Sequence, residues 1–113
     1  MELNYTLTGS LTDISAEIGA YLKGKHSSTL YLDNTYFAGE NCDFRVDTYQ
    51  VLNFSQKGYI TINVCCFRPN MTGNNLQLKI SLFSSYWKSP THLMEKLQKE
   101  LHALILSLGG VPQ

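Results

Sequence analysis

The sequence predicts an α+β fold in the order β-α-β-β-β-β-α: an antiparallel meander sheet with two helices on one face. Three observations carry this. Residues 93–108 repeat apolar side chains at spacings of three and four, the period of a helix with one buried side. Five other segments alternate apolar and polar residues, the period of half-buried strands. The breaks between the last four of these are short, so successive strands run antiparallel.

The first strand is Glu2 to Thr8, with Leu3, Tyr5 and Leu7 on one side. Gly9-Ser10 breaks it, and Ser10 with Asp13 has the spacing of a capping box. Leu11, Ile14, Ile18, Tyr21 and Leu22 then share a helical face, with Gly24 as the stop. Gly19 inside this helix costs about 1 kcal/mol relative to alanine; either it allows a close approach to the sheet or it is simply tolerated. The second strand runs from about Ser28 to Phe37, with Leu30 and Leu32 inward. The third spans about Asp43 to Phe54. Gln56-Lys57-Gly58 reads as a three-residue hairpin loop with glycine in the left-handed position. Tyr59 to Arg68 follows, with Ile60, Ile62, Val64 and Cys66 inward, and Pro69 ends it. Leu76 to Phe83 is the last strand, with Leu76, Leu78, Ile80 and Leu82 inward.

The closing helix has start and stop signals. Ser89 can cap, Pro90 suits the first helical position, and Gly109-Gly110 closes the element. Leu93, Met94, Leu97, Leu101, Leu104, Ile105 and Leu108 form its apolar stripe, and Glu95 with Lys99 makes a favourable i,i+4 pair. This order of elements resembles the helix-grip or TBP-like group of folds, in which a curved sheet wraps a long C-terminal helix. The resemblance covers nearly the whole chain as an order of elements and carries no sequence motif. The chain lacks the extra strands of the larger ligand-binding helix-grip proteins, which implies a small cavity.

Composition narrows the function classes. A chain of 113 residues is one domain by size, 1–113, and 43% hydrophobic against 16% charged residues is a globular balance. The formal net charge is zero, which gives no sign of the basic stripe that phosphate backbones require, so a nucleic-acid partner is not expected. Met1-Glu2-Leu3-Asn4 opens no signal peptide, and no stretch is long enough to span a membrane. A cytoplasmic location is expected, and an odd count of three cysteines fits it.

A register follows from the assumed loop: Phe54 faces Ile60, Leu52 faces Ile62, Gln50 faces Val64, Thr48 faces Cys66 and Val46 faces Arg68. Cys42 then lies six residues beyond Thr48, roughly 20 Å from Cys66. A disulfide needs Cα atoms within about 7 Å, so none is expected. Cys65 and Cys66 leave opposite faces of their strand and cannot chelate together. His26, His92 and His102 lack metalloenzyme spacing, and there is no nucleophile elbow or phosphate-binding loop. No catalytic residue, metal or cofactor is assigned, and the domain reads as non-enzymatic.

Two sets of residues remain. On the assumed register Thr48, Gln50, Cys66 and Arg68 converge on the helix-covered face, as the polar groups of a small pocket would. Tyr31, Phe37, Tyr49, Tyr59, Phe67 and Phe83 take the opposite phase, with Val51 and Cys65. Aromatics clustered on a face that should be solvated mark an interface. The leading expectation is therefore a homodimer formed through the open sheet face. The alternative is a module that binds a small apolar ligand between the sheet and the last helix, its polar end held by Thr48, Gln50 and Arg68.

Overall fold

The structure is a computed structural model that describes residues 1–53, 58–84 and 92–113. Its elements are β1 (Glu2–Thr8), α1 (Leu11–Lys25), β2 (Thr29–Ala38), β3 (Asp43–Asn53), β4 (Gly58–Arg68), β5 (Asn75–Ser84), α2 (His92–Ser107) and β6 (Val111–Pro112). The expected order is present, with the two-residue β6 added after α2. The strands form one open antiparallel sheet in the order β2-β3-β4-β5-β1-β6.

One face of the sheet carries the core. Leu3, Tyr5 and Leu7 of β1 meet Ile80, Leu78 and Leu76 of β5, and Ile60, Ile62, Val64 and Cys66 of β4 continue the same layer. Both helices cover this layer: α1 lies against β2, β3 and β4, and α2 against β1 and β5. Met94, Leu97, Leu101 and Ile105 of α2 are buried, and Leu93, Leu104 and Leu108 pack at the margin, so all seven predicted stripe positions serve the core. Among the described residues no helix is long and apolar enough to cross a membrane.

The helix ends follow from local chemistry. Ser10 Oγ accepts the Asp13 N–H at 3.4 Å and caps α1. The helix runs past Gly24 to Lys25, and the His26 N–H donates to the Leu22 carbonyl at 2.8 Å. His26 Nε2 also donates to Glu100 Oε2 at 2.7 Å, which fastens the end of α1 to α2. Gly109 takes φ +90°, a left-handed turn that sends the chain back along β1 as β6. The caps read at Ser89 and Pro90 lie outside the described residues.

Two strands differ from the expected phasing. Val51 pairs with Ile60, Tyr49 with Ile62, Asp47 with Val64 and Asp43 with Arg68. The register is thus three residues away from the one expected. The cause is the connection: Asn53 faces Gly58, so Gly58 belongs to β4 and not to a three-residue loop, while residues 54–57 lie outside the described ones. An odd shift exchanges the faces of β3. Tyr49 and Val51 enter the core, and Thr48 and Gln50 turn to the uncovered face.

In β2 the register breaks at Leu32, between Tyr31 opposite Tyr49 and Asp33 opposite Thr48. Leu32 is the extra residue of a β-bulge, which switches the alternation beyond it. Thr29, Tyr31, Asn34 and Tyr36 therefore share the helix-covered side, and Leu30, Asp33, Thr35 and Phe37 the other. Leu30 and Leu32, expected inside, are about half exposed at 50% and 49%.

Candidate functional site

β3 supplies the chemistry of the helix-covered face. Asp43, Arg45 and Asp47 alternate along it and all point to that side. The two carboxylates are each 1% exposed and each is fully engaged. Arg68 donates from Nε to Asp43 Oδ1 and from Nη2 to Asp43 Oδ2, both at 2.8 Å, and the Tyr36 hydroxyl donates to Oδ2 at 3.0 Å. These bonds, the Arg68 pair first, hold the Asp43 carboxyl below its ordinary pKa. Arg45 Nε donates to Asp47 Oδ2 at 3.0 Å and Arg45 Nη2 to Asp47 Oδ1 at 3.2 Å, while the Tyr31 hydroxyl donates to Oδ1 at 2.6 Å. Buried charges in such pairs are structural anchors, and neither carboxylate is left over for proton transfer.

Beside the second anchor a groove of about 390 Å³ runs between α1 and the sheet. One helical stripe of small or short side chains, Thr12, Ser15, Ala16, Gly19 and Ala20, forms its wall and leads to Lys23. Tyr31, Tyr49 and Arg45 form its floor. The two tyrosine rings are 5.0 Å apart between centroids, and Lys23 Nζ stands 5.4 Å above the Tyr31 ring. Gly19 is required here, because a Cβ would run into the Tyr49 hydroxyl. Burial, with Asp47 nearby, pushes the Tyr49 hydroxyl up to about 12. Ser15 is 4% exposed, and its Oγ has no hydrogen-bond partner among the described residues.

The second notable place is the free edge. β2 ends the sheet, and its burial differs from every other long strand: all residues from Leu30 to Ala38 are exposed. Leu30, Tyr31, Leu32, Tyr36 and Phe37 account for five of the eleven large apolar side chains exposed among the described residues. On the uncovered face Phe37, Phe44 and Phe67 stand side by side across β2, β3 and β4, with Phe37 and Phe44 stacked at 5.4 Å. Tyr59 and Phe83 lie at the other end of that face, beyond a polar band containing Thr48 bonded to Asn63 at 3.0 Å.

Compared with known protein families, curated proteins and solved structures, the chain matches none of them.

The expected sets divide accordingly. Of the six interface candidates, Phe37, Tyr59, Phe67 and Phe83 lie on the uncovered face, and Tyr31 and Tyr49 lie on the covered one. Of the four pocket candidates, Cys66 and Arg68 lie on the covered face, and Thr48 and Gln50 do not. The four do not converge. Beneath α2 the sheet is packed by Leu97, Leu101 and Ile105, each 0% exposed, so the expected position of the pocket is filled. Ser15, Arg45 and Asp47 were missed. The alternating Asp43, Arg45, Asp47 was the available signal, since a strand carrying opposite charges two residues apart can pair them on one face.

The three thiols are free. Cys66 is fully buried, and burial pushes its thiol up to about 12; Cys65 is raised as well, by burial. Arg45 faces Cys66, so Cys42 lies three residues along β3 from that point, about 10 Å and not 20 Å, still beyond disulfide reach. His102 Nδ1 shares a 2.7 Å hydrogen bond with the Tyr5 hydroxyl. Among the described residues no group of three or more His, Cys, Asp or Glu is placed to hold a metal ion.

Proposed function

We propose that this chain is a self-associating module that pairs with a second copy of itself along β2. The observation that carries this reading is the exposed apolar character of β2 on both faces of a strand whose outer edge pairs with no other strand among the described residues. A ten-residue edge of this kind is a template for another strand. The opposite edge is the two-residue β6, so pairing through β2 uses the long free edge of each copy and closes at two.

The sequence of β2 is self-complementary once the bulge is counted. Tyr31 and Tyr36 are five residues apart, an odd number, and would sit on opposite faces of a regular strand. The extra residue at Leu32 returns them to the same face. An antiparallel pair with its two-fold axis at Asn34 then sets Asp33 opposite the partner's Thr35, Tyr31 opposite the partner's Tyr36 and Leu30 opposite the partner's Phe37. Every pair shares a face. The aromatic row Phe37, Phe44 and Phe67 would continue into the partner's Leu30. A net charge of zero offers no repulsion to oppose the contact. The three free thiols fit a reducing compartment, and in this reading the module works in the cytoplasm.

Sedimentation equilibrium tests the proposal. The wild-type chain is expected to be dimeric, and Tyr36→Lys or Leu30→Lys monomeric. Asn34→Cys should crosslink under mild oxidation, while Thr35→Cys, whose neighbour across the axis is the partner's Asp33, should not. A monomer at high concentration would sink the idea. A dimer broken by Tyr59→Lys and indifferent to Tyr36→Lys would move the contact to the uncovered face and away from the edge.

A further inference from the structure

We infer that the groove between α1 and the β2–β3 tyrosines binds a small aromatic carboxylate. The groove is open because one stripe of α1 is built from small side chains, and its volume of about 390 Å³ falls in the range of small-molecule sites. Space alone is not a site. The second observation is Ser15, a residue of the groove wall that is only 4% exposed and whose buried hydroxyl has no partner among the described residues. A buried hydroxyl without a hydrogen bond is costly, and a ligand oxygen would satisfy it.

Charge chooses the ligand. Arg45 gives Nε and Nη2 to Asp47 and also interacts with the Tyr31 hydroxyl, and the guanidinium fork has more N–H donors than these contacts use. Lys23 stands at the other side over Tyr31. Asp47 is consumed by Arg45 and Tyr31, so the groove carries one more positive than negative charge. The partly exposed Tyr31 ring, backed by the buried Tyr49, offers flat apolar surface for a planar body. A carboxylate can accept from Ser15 Oγ and the spare guanidinium N–H in charge-assisted bonds, which a neutral amide cannot match. The lining residues all belong to one copy of the chain, and in the proposed pair the partner's Tyr36 would stand beside Tyr31 at the rim.

NMR titration of the full chain with 2-naphthoate, against 2-naphthamide as the uncharged isostere, tests this. Binding of 2-naphthoate should move the amide signals of Ser15, Ala16, Gly19 and Tyr49, and 2-naphthamide should bind at least about tenfold more weakly. Ser15→Ala keeps the helix and should weaken binding severalfold; Ala16→Leu fills the groove and should abolish it. Equal affinity for the two probes, wild-type affinity in Ser15→Ala or in Ala16→Leu, or no shift at about 10 mM naphthoate would overturn the assignment.

Discussion

Arg68 holds Asp43 through two parallel hydrogen bonds at the point where β3 and β4 face each other directly, Nε to Oδ1 and Nη2 to Oδ2. The pair locks the register: a slip by one residue would send the two side chains to opposite faces.

Breaking this pair should be strongly felt. Arg68→Met leaves a carboxylate that is 1% exposed with the Tyr36 hydroxyl and without its cation. Urea denaturation is expected to show a clear loss, and adding Asp43→Asn should recover part of it, because the charge that lost its partner is then gone. A double variant no more stable than Arg68→Met would refute that account.

The same pair sets the acid limb of stability. The Asp43 carboxyl titrates below its ordinary 3.8 in the folded chain. The unfolded chain therefore takes up this proton first as pH falls. The contribution is full above about pH 4 and is lost as pH drops towards the folded value. Melting temperature against pH should fall on that limb, and Asp43→Asn should flatten it.

Cys66 governs the alkaline side in the opposite sense. Its thiol moves from 9.0 to about 12 on folding, so the unfolded chain loses the proton first as pH rises. Stability should decline from about pH 9 upward, less steeply in Cys66→Ala. Thiol reagents should modify Cys66 at the rate of unfolding, whereas Cys42, which is only partly buried, should react in the folded protein.

Gly19 and Tyr49 make a test of close packing. Gly19→Ala gains helix propensity of about 1 kcal/mol, yet its Cβ meets the Tyr49 hydroxyl. Overpacking of this kind costs about 1–3 kcal/mol, so a net loss is expected. In a Tyr49→Phe background the obstructing oxygen is absent, and Gly19→Ala should become neutral or stabilising. Additive effects in a double-mutant cycle would contradict the contact.

The α2 stripe is the firmest quantity. Leu97→Ala or Leu101→Ala should each cost about 2–5 kcal/mol, since both are fully buried. A loss under about 1 kcal/mol by urea denaturation would show that the stripe is not packed.

The sequence made some of this legible and hid the rest for physical reasons. The α2 period, the Ser10 cap and the β4 and β5 alternations each have one dominant phase, and the structure follows them. β3 does not: Val46, Thr48, Gln50 and Leu52 on one side are as plausible inside as Arg45, Asp47, Tyr49 and Val51 on the other. Its buried charges look solvated until the partners Arg68 and Tyr31 are known. The bulge at Leu32 has no glycine to announce it, and one unmarked residue turned the rest of β2 over. The groove depends on which α1 stripe faces the sheet beside Tyr49, which follows only from the correct β3 phase.

The place of β1 in the sheet has a consequence for synthesis. β1 is made before the other strands, yet its neighbours β5 and β6 are the last two of them to be made. While β2, β3 and β4 can zip as each emerges, Leu3, Tyr5 and Leu7 must wait for Leu76, Leu78 and Ile80. The nascent chain thus carries an unsatisfied apolar strand until β5 has been made, and this non-local pairing is slower to form than the β2–β3–β4 meander.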